Sequence, residues 1–136
     1  MSTALAVGSL APAPAVPVDV TTVAEPDPIF AAIEWHRKCE ADYHANADVE
    51  DRLRRRGLLR GCERTPERLA TVKESLEARL ALSKTVPTTL SGLCAYLEYA
   101  ANYNDRCGIL LFEPKETDNF VAAIAEAARN IAGRAS

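Results

Sequence analysis

Aromatic residues are scarce in this chain, and no hydrophobic run is long enough to cross a bilayer. Phenylalanine, tryptophan and tyrosine together make up 6% of the sequence, which leaves few rings to stack on nucleic-acid bases. An apolar helix needs about 20 consecutive residues to span the hydrocarbon layer, and no segment here approaches that length. We expect a soluble protein with no membrane partner.

The cysteines form none of the usual metal-binding or disulfide-rich patterns. The chain has no CxxC pair among its four cysteines, which are Cys39, Cys62, Cys94 and Cys107. His36 and Cys39 share a helix face and resemble half of a zinc site, but a structural site closes with four ligands. The first basic residue is Arg37, so a signal peptide's positive start is missing. We expect reduced thiols, no metal and a cytoplasmic location.

Motifs that mark common enzyme and cofactor sites are also absent. There is no GxSxG nucleophile elbow, no GxxxxGK phosphate loop and no GxGxxG dinucleotide fingerprint. Cys39 and His36 could pair as thiolate and imidazole, but they lie in one apolar stripe without a third orienting group. The sequence predicts a non-enzymatic protein with no catalytic residue, no cofactor and no evident small-molecule substrate.

What the chain does contain is helical periodicity, interrupted by turn signals. Alanine is abundant, and four segments repeat apolar residues every three or four positions. We predict an all-α fold in which helices 1 and 2 form a long antiparallel hairpin and two shorter helices complete a small helical bundle. The domain spans residues 27–136. Residues 1–26, rich in alanine, valine and proline, are expected to be a disordered tail.

Capping residues predict where each helix begins. A short polar residue before proline is a typical start, because its side chain caps free N–H groups and proline lacks the donor. The predicted starts, in chain order, are Asp27–Pro28, Thr65–Pro66, Thr88 or Thr89, and Thr117–Asp118. Glycine favours helix ends, so Gly57 should follow helix 1 and Gly133 should stop helix 4.

Apolar stripes predict which face of each helix turns to the core. Helix 1 carries Ile29, Ile33 and His36 at helical spacing, and helix 4 carries Phe120 and Ile124. On helices 2 and 3 we expect the leucine-rich stripes to be buried: Leu69, Val72, Leu76 and Leu80, then Leu90, Leu93, Cys94, Leu97 and Ala101. The run Ile109–Phe112 is too short for a helix and should cover the core as a turn-like plug.

Two sequence blocks resemble a group of small uncharacterised proteins from rhizobial-type bacteria. The first is DPIFAAIEWHRKCEADYHA, at residues 27–45, and the second is LEARLALSKTVPTTLSGLCAYLEY, at residues 76–99, with Ser91 where that group usually has alanine. The resemblance covers the chain from about residue 27 onward. It implies an α-helical architecture and a bacterial setting, and it assigns no reaction and no catalytic residue.

An arginine-rich segment is the one feature that suggests nucleic acid. Residues 52–64 hold six arginines, which are Arg52, Arg54, Arg55, Arg56, Arg60 and Arg64. Such a cluster could contact phosphates, but Glu50 and Asp51 lie one helical turn away and the net charge of the chain is −3. We therefore expect a solvated helix end, as charge runs usually are.

Taken together, the sequence favours a small helical accessory or interaction protein without enzymatic activity. Its partner would be another protein or a second copy of itself, because a domain of short helices has a marginal core that association can extend. The alternative is a small DNA-associated regulatory protein that uses the arginines of residues 52–64.

Overall fold

Four helices, and no strand, make up the part of the chain described by the computed structural model, which covers residues 24–136. Their bounds are α1, Pro28–Arg55; α2, Pro66–Lys84; α3, Leu90–Cys107; and α4, Pro114–Arg134. The predicted all-α fold is confirmed. Most of the predicted tail, residues 1–23, lies outside the described residues. None of these four helices is apolar enough over a sufficient length to cross a membrane.

The first three helices begin at the predicted caps. Asp27 Oδ1 accepts a hydrogen bond from Ile29 N, and the Thr65 hydroxyl accepts one from Arg68 N. At α3 the cap is Thr89 and not Thr88, since the Thr89 hydroxyl accepts a hydrogen bond from Gly92 N in the first turn of the helix. A side-chain cap acts on N–H groups only two or three residues away, which is why the sequence was sufficient to locate these starts.

The predicted start and end of α4 are wrong. The helix begins at Pro114, where Glu113 and Glu116 form a capping box, and the Glu116 carboxylate accepts from Glu113 N at 3.0 Å. The helix also continues through Gly133 to Arg134. The sequence contains the signal for this start, Glu-Pro-x-Glu at residues 113–116, immediately before the predicted cap at Thr117–Asp118.

The helices are arranged as a four-membered ring. Side-chain bonds from Glu40 to Ser75 and from Glu50 to Thr65 show that α1 and α2 are antiparallel, as predicted. Contacts from α1 to α3 keep a constant offset of 62 or 63 residues, so these two helices run parallel. Helix α4 packs on both α2 and α3. Helices α2 and α3 occupy opposite corners and make no close backbone contact within the described residues. Across the ring, however, the Tyr96 hydroxyl of α3 donates a hydrogen bond to the Leu82 carbonyl oxygen of α2 at 2.5 Å.

The core forms mainly between α1, α3 and the segment before α4. Its buried members are Ile29, Ile33, Leu82, Tyr96, Tyr99, Leu111 and Phe112, with Phe120 and Ile124 packed against them. The predicted plug is half right, since Leu111 and Phe112 are buried but Ile109 and Leu110 are exposed. On α3 the buried face carries tyrosines, not the leucine stripe.

The predicted burial of the leucine stripes on α2 and α3 is wrong. Leu76 is 48% exposed and Leu97 is 44% exposed, and Leu69, Leu80 and Leu90 are exposed to a similar or greater extent. On α2 the buried positions are instead Arg68, Ala78, Leu82 and Ser83. The helical period explains this exposure, because Leu69, Leu76 and Leu80 lie on the side of α2 opposite the face that buries Arg68, Ala78 and Leu82.

Candidate functional site

The arginine-rich segment folds around one buried carboxylate near the end of α1. Glu50 is only 1% exposed, and its Oε1 accepts a hydrogen bond from Thr65 N at 2.9 Å. Its Oε2 accepts from Arg64 Nη1 at 3.0 Å and from Arg54 Nη2 at 3.3 Å. Two of the six candidate nucleic-acid contacts, Arg54 and Arg64, therefore join the end of α1 to the start of α2.

A further arginine outside that segment completes this carboxylate site. Arg68 is buried, its Nε lies 4.0 Å from Glu50 Oε2, and its guanidinium carbon lies 3.6 Å from the centre of the Tyr43 ring. Arg68 also donates to the carbonyl oxygen of Tyr43. Burial by itself raises the pKa of Glu50, but hydrogen bonds from Thr65 N–H and two arginines outweigh burial and lower that pKa. Glu50 is thus a charged structural anchor.

The other four arginines of the segment lie on the surface: Arg52, Arg55, Arg56 and Arg60. In the described part of the chain none of these four forms an ion pair. The first three line a shallow hollow of about 420 Å³ together with Val49 and Leu53. The structure therefore divides the predicted contacts into two that bind the buried Glu50 carboxylate and four that are exposed without an ion pair among the described residues.

The N-terminus of α1 is tied to the start of α3 through a second carboxylate. Asp27 Oδ2 accepts hydrogen bonds from Thr88 N at 3.0 Å, Thr89 N at 2.8 Å and the Thr89 hydroxyl at 2.7 Å. Burial raises the pKa of Asp27, but these bonds and the one from Ile29 N more than compensate, so the pKa is lowered. The two blocks that carried the family resemblance therefore meet in space.

A polar cluster lies inside the ring of helices and is centred on His36. This side chain is 0% exposed, and its Nδ1 lies 2.7 Å from the Tyr99 hydroxyl. Its Nε2 has no hydrogen-bond partner among residues 24–136 and lies 3.9 Å from Glu40 Oε1. Glu40 in turn accepts from Ser75 Oγ at 2.6 Å and from the Tyr103 hydroxyl at 3.1 Å. The cluster joins α1, α2 and α3.

Burial lowers the pKa of His36 below its ordinary value. Glu40 and Glu116 oppose this shift and Arg79 reinforces it, and burial prevails. Arg79 is itself engaged, since its Nε lies 2.9 Å from Glu116 Oε2 and its Nη2 donates to Glu113 at 3.1 Å. His36 is therefore neutral in the folded protein near pH 7, and it serves as a polar core residue.

This neutral histidine makes stability depend on pH in a predictable direction. The unfolded chain takes up a proton on His36 near pH 6.5, whereas the folded chain does so at lower pH. Stability is therefore complete above about pH 6.5 and falls as the pH drops from there through the folded-state pKa. Urea unfolding at pH 7.5 and pH 5.5 should show this loss in the wild type and in His44→Gln. It should disappear in His36→Gln, and an undiminished loss in that variant would contradict the assignment.

The cysteines do not assemble into a metal site or a disulfide. Cys39 is buried on α1, where burial raises the pKa of its thiol, while the other three cysteines are exposed. Within residues 24–136 no group of three or more histidine, cysteine, aspartate or glutamate side chains is placed to hold a metal ion. His36 and Cys39 share a helix but no common ligand geometry.

A groove runs along the junction of α1 and α3. It comprises two adjoining hollows of about 550 and 280 Å³ that share Arg37, Tyr99 and Arg106. Arg37 pairs with Glu34 and lies 5.3 Å from the Tyr99 ring centre. Glu98 and Asp105 also line the larger hollow. Since both signs of charge line this groove, it does not select a class of charged ligand.

Within the described residues, exposed apolar side chains recur on the outer faces of α2 and α3. On α2, Leu69, Leu76 and Leu80 fall on one side of the helix at spacings of seven and four residues, with Val72 between them. On α3, Leu90 and Leu97 are seven residues apart, with exposed Cys94 and Ala101 on the same side. We call these two surfaces the α2 leucine face and the α3 leucine face.

Comparison with known proteins adds no relative. No protein-family model, no curated protein and no solved structure matches the chain. The resemblance to small proteins of rhizobial-type bacteria thus stays a prediction.

Proposed function

We propose that this chain is a helical interaction protein without enzymatic activity, which binds other polypeptides, including copies of itself, through its leucine faces. The observation that carries the proposal is the placement of the leucine stripes. Three leucines on α2, all in one register, are 42–58% exposed, although helical stripes of this kind are normally buried. Contiguous apolar surface on a small domain marks interaction sites.

The alternative, a DNA-associated protein, has less support. Two of its six arginines are bonded to buried Glu50, which leaves four that form no ion pair among the described residues, on a chain whose net charge is −3. No aromatic side chain lies within residues 52–64 to stack on bases. The leucines of the two faces, by contrast, are 42–62% exposed, so much of their apolar surface has no partner within the described fold.

Substitution of one leucine on each face tests the proposal. Glutamate at an interface core introduces a charge that association would have to desolvate, so Leu76→Glu and Leu97→Glu together should abolish binding. The full-length chain and this double variant would be compared by sedimentation from about 1 to 200 µM and by affinity capture from native cells. Leu58→Glu is the matched control, because Leu58 is 64% exposed in the turn after α1.

The expected result is association or capture by the wild type and Leu58→Glu, and neither by the double variant. Circular dichroism would confirm that all three proteins are equally helical. A wild type that is monomeric throughout, and that captures the same proteins as the double variant, would refute an interaction role for these faces.

A further inference from the structure

We propose that the α2 leucine face packs against the same face of a second copy, with the two α2 helices antiparallel about a two-fold axis near Leu76. This inference rests on the proposed interaction function and names the partner of one of its two faces. In this arrangement copies of the chain associate through the α2 leucine face, and the α3 leucine face binds other partners.

The spacing of the apolar residues suits this arrangement. In a two-fold pair, if residue i of one copy contacts residue j of the second, then residue j of the first copy contacts residue i of the second. With the axis at Leu76, that leucine meets its own equivalent, and Val72 lies level with Leu80 of the second copy. The face thus buries leucine against leucine or valine near its centre, as coiled-coil seams do.

The charges beside this face are self-complementary. Helical spacing places Lys73 and Glu77 along its outer edge, next to Leu69 and Leu80, and the two are 3.9 Å apart and largely exposed. In an antiparallel two-fold pair the same edge of each helix meets the other. Lys73 of one copy then lies within about 3 Å, along the helix axis, of Glu77 of the second copy.

The opposite edge of the face does not interfere. Arg79 lies there, and its positive charge is already paired with Glu113 and Glu116 of α4 at 3.1 and 2.9 Å. The Arg79 side chains of two copies therefore carry no unpaired positive charge that would oppose association. The α2 leucine face combines an apolar centre, one edge whose arginine is ion-paired and an opposite edge of alternating charge.

The α3 leucine face lacks this self-complementarity. Its edge carries Glu98 and Asp105, which are exposed and form no ion pair among residues 24–136. Two copies pairing through α3 in the same manner would bring these carboxylates together, which is unfavourable. Charge therefore selects α2, not α3, as the self-association surface.

Mixing two charge-reversal variants tests this pairing. Lys73→Glu leaves only acids on the edge and Glu77→Lys leaves only bases, so each variant alone should repel its own copies. At about 50 mM salt, where screening is weak, self-association of each should weaken roughly three- to tenfold relative to the wild type. An equimolar mixture should recover near wild-type affinity, because acidic edges then meet basic edges.

This design separates assembly from folding. Both variants break the Lys73–Glu77 pair within their own helix, so recovery on mixing cannot come from repair of the fold. Sedimentation with one variant fluorescently labelled would report the mixed species, and Leu76→Glu should not associate with either variant. As a matched control, Glu98→Lys on α3 should leave self-association unchanged.

The outcomes distinguish this inference from the broader function. If the mixture associates no more tightly than its components, or if the single variants associate like the wild type, α2 self-pairing is overturned. If in that case the wild type still captures proteins that Leu97→Glu loses, the interaction function stands without it. If neither leucine substitution changes anything, both proposals fail.

Discussion

Replacement of Gly92 by alanine is expected to destabilise the fold by about 3 kcal/mol. An added Cβ would overlap the Asp27 carboxylate and come within 2.8 Å of Ile29 Cγ2. Asp27 could retreat only by giving up bonds to Thr88 and Thr89 that it makes while buried. Urea unfolding at 25 °C would measure the change.

Gly133 supplies the matched control. It also lies in a helix, but no atom comes within 4 Å of the position that its Cβ would occupy. Gly133→Ala should leave stability unchanged or raise it by up to about 1 kcal/mol, because alanine is the better helix former. Equal unfolding free energies for the two variants would show that the contact between α1 and α3 at Gly92 is looser than described.

Removal of the buried Glu50 carboxylate is expected to lower the melting temperature by roughly 10–20 °C. In Glu50→Ala the Thr65 N–H loses its acceptor, and Arg54, Arg64 and buried Arg68 face one another without an intervening negative charge. Breaking such a site by removing one partner is far more costly than losing an exposed pair. Thermal unfolding followed by circular dichroism would record the shift.

Comparison with Asp51→Ala separates the effect of removing a buried carboxylate from the effect of removing an exposed one. Asp51 is the next residue, lies 3.4 Å from the same Arg54 and is exposed, so its loss should change the melting temperature by no more than about 2 °C. Similar melting temperatures for the two variants would mean that Glu50 does not anchor the end of α1 to the start of α2.

Much of the carboxylate site at Glu50 could be anticipated from the sequence. Acidic residues one turn before the arginines predict pairs along a helix, and Arg54 indeed pairs with both Glu50 and Asp51. The sequence does not predict that Glu50 is buried. Nor does it predict that Arg64 and Arg68, which follow the turn after α1, pair with Glu50. Those contacts join residues 14 and 18 positions apart in the chain and depend on how α2 folds back on α1.

The sequence also does not predict which residues surround His36. The sequence placed His36 in the apolar stripe of the first helix, and this is confirmed by its complete burial. Its partners Tyr99 and Tyr103 lie more than 60 residues away, on a helix that runs parallel to α1. The parallel packing of α1 and α3 depends on the path of the chain between α2 and α3, and no local sequence motif predicts that path.

The starts of the helices have local signals in the sequence, because a cap acts on backbone groups within a few residues. Asp27, Thr65 and Thr89 define three starts in this way, and even the missed start of α4 has its signal in Glu113–Glu116. Which face of each helix is buried was decided only in the tertiary structure. Helix α3 carries a leucine stripe and a tyrosine stripe of the same period. Tyr96 and Tyr99 are the buried residues, and inside the fold their hydroxyl groups form hydrogen bonds with the Leu82 carbonyl oxygen and with His36 Nδ1. Leu90 and Leu97 are therefore exposed on the outer side of α3, on one of the two surfaces through which we propose that this protein binds its partners.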